Sequence, residues 1–207
     1  GIEVNVASNK SQEPPEDQLQ NLINLYTQGL FQKALAQGSQ LLEQFPNSIN
    51  LYNIIGASNK GLGKLDEAIE AYNKALSLEP DYAQAYNNMG IALKDQGKLE
   101  DAIEAFNKAL SFKPDFAEAY NNMGIALQDQ GKLEEAIEAF NKALSLKPDY
   151  AEAHNNMGVT LKNLGKLDEA IQAYNKAISL KPDYAEAHNN IGNALKDQGK
   201  LDEAIEA

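Results

Sequence analysis

Pro46, Pro80, Pro114, Pro148 and Pro182 stand 34 residues apart, and the chain between them rewrites nearly one sentence: Asp-Tyr/Phe-Ala, Asn-Asn-Met-Gly, Gly-Lys-Leu, Glu-Ala-Ile, Asn-Lys-Ala. Self-similarity at a fixed period in this range predicts stacked supersecondary units. Each unit cannot bury its apolar face alone and completes its core against the next. Function in such a chain belongs to a repeated surface rather than to one pocket of unlike residues.

Composition narrows the partners. The 207 residues carry 18 Lys+Arg against 30 Asp+Glu, a formal charge of -12. That balance argues against a general grip on nucleic-acid phosphates or anionic lipid headgroups and favours a protein or peptide ligand. Cysteine is absent, which removes thiol chemistry, disulfides and cysteine-based metal sites. No apolar run approaches the roughly 20 residues that cross a bilayer, so membrane insertion is not expected. A soluble chain follows, with the cytoplasm favoured. Residues 1–14, polar and leading into Pro14-Pro15, read as a disordered tail or linker remnant. Asn9-Lys10-Ser11 fits a glycosylation triplet of the kind that also arises by chance.

With the repeat proline at position 32, the units are 15–48, 49–82, 83–116, 117–150, 151–184 and a partial 185–207. Asp81 with Gln84, Asp115 with Glu118, Asp149 with Glu152 and Asp183 with Glu186 resemble capping boxes that open a first helix. Gly29, Gly63, Gly97, Gly131, Gly165 and Gly199 stand where that helix closes, a position suited to the left-handed conformation. The second helix carries acids in its first turn (Glu100-Asp101, Glu134-Glu135, Asp168-Glu169) and lysine late, as a helix dipole favours. Proline ends it. At about 100° per residue, positions 4, 7, 8 and 11 of the first arm (Tyr86, Met89, Gly90 and Leu93) share one side and predict the buried stripe. Gly90 and Ala102, at positions 8 and 20, are expected to let the two arms approach. The aromatic at 24 (Tyr72, Phe106, Phe140, Tyr174) is expected to fill space between units.

Small residues at 8, 20 and 27, aromatics at 4 and 24, an apolar residue at 7 and proline at 32 together resemble the tetratricopeptide repeat (TPR) family over residues 15–207. The resemblance implies an all-α fold, a right-handed superhelix or α-solenoid of helix-turn-helix repeats with first helices lining the concave face. The first unit departs from the pattern, with Leu22 in place of glycine and Gly38 in place of the aromatic, and reads as a capping or loosened repeat. The sixth stops within its second helix, suggesting a fragment of a longer protein.

Positions 2, 5, 6, 9, 12 and 13 cluster opposite the buried stripe and are expected to face the groove. Position 5 reads Leu19, Asn53, Asn87, Asn121, Asn155, Asn189 and position 6 reads Gln20, Ile54, Asn88, Asn122, Asn156, Asn190. Each amide offers an acceptor and two donors, so this asparagine ladder suits an extended peptide backbone. The position-6 column at Asn88, Asn122, Asn156 and Asn190 is similar to the concave asparagines of O-linked N-acetylglucosamine transferase-type arrays. The competing reading makes the same amides bridges between neighbouring repeats. Ile91, Ile125 and Val159 supply an apolar floor at position 9, interrupted by Asn193, with Lys60, Lys94, Lys162 and Lys196 at position 12 set against Glu and Asp. Where chaperone-tail binders of the family carry a Lys/Arg clamp, this chain has asparagine.

His154 and His188 occupy the aromatic position 4 and read as packing residues, not as metal ligands or a base. Met89, Met123 and Met157 read as core. No catalytic residue, metal site or cofactor is expected, so the chain is read as no enzyme. The expected function is a protein-protein interaction scaffold that holds an extended peptide. The alternatives are the substrate-recruiting arm of a larger transferase, such as a glycosyltransferase, or a homo-oligomer assembled through repeat ends.

Overall fold

The computed structural model describes residues 13–200 and Ala204, in two compact units, Gly1–Gln96 and Gly97–Ala207. The first holds α1 (Glu16–Thr27), α2 (Phe31–Gln44), α3 (Ile49–Gly61), α4 (Leu65–Leu78) and α5 (Ala83–Asp95). The second holds α6 (Leu99–Phe112), α7 (Ala117–Asp129), α8 (Leu133–Leu146), α9 (Ala151–Asn163), α10 (Leu167–Leu180) and α11 (Ala185–Asp197). Among the described residues every element is a helix, and the 34-residue repeat is a helix-turn-helix, as the period predicts. Within the first unit α3 packs on α2, α4 and α5; within the second, α9 packs on α8, α10, α7 and α11. A first arm thus touches its own second arm, the preceding one, and the first arms beside it.

Two kinds of turn set the geometry. The glycine at position 15 takes φ between +73° and +79° in all six occurrences. Around it Gly131 N–H bonds to Gln128 O and Lys132 N–H to Leu127 O, both at 2.9 Å. These two bonds satisfy carbonyls the helix end leaves open, and only glycine enters this conformation without a Cβ penalty. At the other end the proline opens a β-turn. Tyr82 N–H reaches Glu79 O, Phe116 N–H reaches Lys113 O and Tyr150 N–H reaches Lys147 O, each at 3.2 Å.

That turn corrects the capping-box expectation. The N-cap residues of α5, α7, α9 and α11 are Tyr82, Phe116, Tyr150 and Tyr184, and none receives a side-chain cap. Asp81, Asp115, Asp149 and Asp183 are spent one residue earlier, inside the proline turn. Ser48 alone among the first-arm caps accepts from the helix, taking Leu51 N–H at 3.1 Å. The Glu13 carboxylate completes that end, accepting from Ile49 N–H at 2.9 Å and from the Ser48 hydroxyl. Pro14 is buried. Glu13 and Pro14 therefore belong to the fold rather than to a tail ending at residue 14. The rest of the expected tail, residues 1–12, lies outside the described residues, as do 201–203 and 205–207 of the partial last repeat.

The aromatic at position 24 fills space between units, as expected, and also stands on the glycine of its own hairpin. A Cβ on Gly56 would lie 2.5 Å from the Tyr72 ring, one on Gly124 2.7 Å from Phe140, and one on Gly158 2.6 Å from Tyr174. Tyr72, Phe140 and Tyr174 are wholly buried, as are Ala68, Ala136 and Ala170 at position 20. The far side of each ring then meets the next repeat: Tyr72 shares a cluster with Ala92 and Met89, and Tyr174 with Ile191, Ala194 and Leu195. One ring closes its own hairpin and supports its neighbour.

In the first repeat the two roles are exchanged rather than loosened. Leu22, at the glycine position, is wholly buried, and Gly38, at the aromatic position, leaves the hollow into which Ile55 of the next repeat presses. A Cβ on Gly38 would lie 3.0 Å from Ile55. Bulk has moved from the second arm to the first.

The buried stripe includes the expected positions 8 and 11, as at Gly124 and Leu127, but is wider than 4, 7, 8, 11. Ala85, Ala119, Ala153 and Ala187 at position 3 are wholly buried, and so are Ala92, Ala126, Thr160 and Ala194 at position 10. Met89, Met123 and Met157 are half-buried. A first arm caught between two second arms buries two faces, and the closer contact takes alanine.

Candidate functional site

The first unit contains a cavity of about 570 Å³ lined by successive first arms. Leu19, Gln20, Ile23 and Tyr26 come from α1; Asn53, Ile54, Ala57 and Lys60 from α3; Gln84, Asn88 and Ile91 from α5. These are positions 2, 5, 6, 9 and 12, the groove positions read from the wheel. Tyr72, on the second arm α4, lines the same space. Ile23 is 41% exposed, a large apolar side chain left open to ligand or solvent. In the second unit Ile125, Val159 and Lys162 stand half-buried on the equivalent positions of α7 and α9.

The asparagine columns separate. At position 5, Asn87, Asn121 and Asn155 are 3%, 4% and 0% exposed, so they do not stand open along a groove as expected. Asn121 and Asn155, with Asn53 of the second repeat, are partners for the next repeat. Asn88 Nδ2 donates to Asn53 Oδ1 at 2.9 Å, Asn156 Nδ2 to Asn121 Oδ1 at 3.1 Å, and Asn190 Nδ2 to Asn155 Oδ1 at 2.9 Å. Position 6 of one repeat thus clasps position 5 of the repeat before it. The wheel gives direction but not depth, and position 5 borders the neighbouring first arm. Asn155 also donates to Glu186 Oε1 at 3.2 Å, and Asn88 Oδ1 accepts from Gln84 at 3.0 Å and Asn87 at 3.4 Å. Asn53, Asn88, Asn122, Asn156 and Asn190 remain half-buried, and Asn189 is exposed on α11. With both Oδ1 lone pairs of Asn88 engaged, its second Nδ2–H is what it can still offer.

Further polar contacts join neighbouring repeats or brace a single one. Gln96 Nε2 donates to Asp66 and Gln198 Nε2 to Asp168, both at 2.7 Å. Lys94 lies 3.1 Å from Asp95 and Lys162 3.4 Å from Asp197, so both lysines nominated for the groove already have carboxylate neighbours. Such part-exposed pairs contribute little, about 0–1 kcal/mol. Lys113, Lys147 and Lys181 sit 4.7, 4.6 and 4.9 Å over the rings of Phe116, Tyr150 and Tyr184, bracing the proline turns.

The TPR repeat model matches at residues 60–97, 92–131, 126–165 and 160–199, more than half of the chain. The chain belongs to the tetratricopeptide repeat family. Among solved structures, this tetratricopeptide chain is similar to MamA at 35% identity, covering 73% of this chain and 89% of MamA with a TM-score of 0.66. Pseudomonas aeruginosa PilF has 21% identity, 92% and 86% coverage and a TM-score of 0.80. YrrB, described as a TPR protein with an unusual peptide-binding site, has 24% identity, 82% and 87% coverage and a TM-score of 0.63. The last two likenesses concern the fold alone. No curated protein matches the chain.

In this tetratricopeptide array the histidines are tied to their own turns. His154 Nε2 lies 3.1 Å from Pro148 O and His188 Nε2 3.0 Å from Pro182 O. Burial holds His154 below the usual value of 6.5, against the raising effect of the Pro148 carbonyl and with Lys176 adding to the fall. A depressed pKa means that the folded state binds fewer protons than the unfolded one. The neutral ring therefore contributes fully above pH 6.5, and that contribution is lost as pH falls through and below this value. His154→Tyr, restoring the residue type of Tyr86 and Tyr120, is expected to flatten the acid side of the melting-temperature profile, read as the wild-type-minus-variant difference. An unchanged difference across that range contradicts the assignment. Among the described residues no group of His, Cys, Asp and Glu could hold a metal ion, and no helix is long and apolar enough to cross a membrane.

Tyr72, Ile23 and Tyr26 are among the cavity residues that sequence reasoning missed. The signal for Tyr72 was a hydroxyl at a position that Phe106 and Phe140 fill without one. Ile23 and Tyr26 were hidden in the divergent first repeat.

Proposed function

We propose that the chain is a non-catalytic interaction scaffold whose first arms receive an extended peptide, with the first three repeats forming the main seat. The observation that carries this reading is the cavity on α1, α3 and α5, where amides of Gln84, Asn53 and Asn88 alternate with Ile23, Ile54 and Ile91. That mixture pairs a peptide's backbone through amides and its side chains through apolar surface, and the volume lies within the range of sites that bind small ligands. The description of YrrB as having a peptide-binding site on the same fold is consistent with it.

The amides bind the ligand with the capacity their clasps leave over. A neutral hydrogen bond nets about 0.5–1.5 kcal/mol against an ordering cost of roughly 4–15 kcal/mol, so amides alone give weak capture and the isoleucines supply the remainder. Alanine at Asn88 or Asn156 is a poor test, because it also breaks an inter-repeat bond. Ile23→Glu is the cleaner variant: the side chain is already open, so the melting temperature stays within about 0.5 kcal/mol of wild type in stability terms. Retention on a peptide array falls at least tenfold. Equal retention of the same peptides by variant and wild type, or no retention by either, sinks the reading.

A further inference from the structure

Tyr72 poses a problem that the fold does not solve. Its ring is 0% exposed, and its hydroxyl is buried with no hydrogen-bond partner. A buried donor left unpaired destabilises the folded state, and phenylalanine at the same position in Phe106 and Phe140 shows that packing does not require the hydroxyl. Tyr72 also lines the cavity, and so does Tyr26 of α1. The ring therefore borders the cavity that α1 also lines.

The walls state what would satisfy it. Leu19, Ile23, Ile54 and Ile91 are apolar, and the formal charges of Glu16 and Lys60 offset one another. A net charge on the ligand gains nothing here, whereas a bulky aliphatic or aromatic side chain covers the isoleucines. A peptide carbonyl on that segment supplies the missing acceptor.

We infer that the cavity between α1, α3 and α5 is the specificity seat of the array, taking one large uncharged aliphatic or aromatic side chain of an extended peptide while the Tyr72 hydroxyl donates to a backbone carbonyl of the same segment. The inference rests on the peptide reading above and adds to it the ligand class and the residue that selects it. Tyr174 is an internal control. Its hydroxyl is also buried without a partner, but its ring belongs to the second unit and does not line this cavity.

The test uses the whole chain and a library of capped peptides that differ at one central residue, with affinities from titration calorimetry. Wild type is expected to prefer Leu, Ile or Phe at the centre over Ala, Asp or Lys. Tyr72→Phe raises the melting temperature, because an orphaned hydroxyl is removed, and weakens the preferred peptide about fivefold. Tyr174→Phe leaves that affinity unchanged. Ala57→Leu, which narrows the cavity floor, weakens the central-residue preference. Peptides bound with equal strength by wild type and Tyr72→Phe, or a preference for a charged centre, overturn this inference and leave the peptide reading standing. A wild-type chain that binds none of the library overturns both.

Discussion

Replacing Phe140 by alanine is expected to cost about 3–5 kcal/mol, the range for emptying a buried aromatic site. The ring is wholly buried, stands on Gly124, and shares a cluster with Leu127, Ala136 and Ala139 of its own hairpin and Met157 of the next. Because stability in a repeat array is a sum of unit and nearest-neighbour terms, the loss falls on one hairpin and both its interfaces. Urea unfolding followed by circular dichroism then shows a lowered and broadened transition. The first repeat supplies the sharper version of the experiment. Gly124→Leu alone overpacks against Phe140 and Phe140→Gly alone empties the site, whereas the double variant copies the Leu22 and Gly38 arrangement. The pair is expected to be less destabilised than the sum of its members, since contacting residues are not additive. Strict additivity refutes the ring-on-glycine account.

Asn155→Ala is expected to cost about 1–3 kcal/mol, the desolvation penalty of polar groups stranded by the loss of a buried partner. Asn155 is 0% exposed, accepts from Asn190 at 2.9 Å and donates to Glu186 at 3.2 Å, so its removal orphans groups on the following repeat. Asn189→Ala, the same substitution at the same repeat position, falls on an exposed residue of α11 and is expected to stay within about 0.5 kcal/mol. Chemical denaturation of the two variants separates a clasp from polar filler. Equal stability for both removes the clasp from the account of how repeats are held.

The period made the architecture legible. Prolines at 32 and glycines at 15 marked both turns, and the glycines take the left-handed conformation that the pattern asked for. The groove positions were legible as a direction: the wheel named the residues that line the cavity in α3 and α5. Depth was not. Asn121 and Asn155 are buried because another repeat lies over them, and a helical wheel contains no second helix. The Asp-before-aromatic motif misled in a related way, since a proline two residues ahead of the aromatic offers the chain a β-turn that competes with the cap. Position 24 was legible as an aromatic core residue, but not that its ring rests on a glycine 16 positions earlier in the same hairpin. Seeing the polar tip of Tyr72 as unsatisfied required the coordinates of everything around it.

The exchange of bulk between Leu22 and Gly38 limits how such a chain can lengthen. Middle units carry matched ends, glycine under a ring followed by a half-buried methionine, so one more 34-residue copy inserted beside α7 and α8 meets neighbours shaped like those already there. The front of the array is keyed differently: the hollow at Gly38 is filled by Ile55, where the middle units offer Met89, Met123 or Met157. Growth by duplication is therefore open in the interior, while the first and second repeats are inherited as a matched pair.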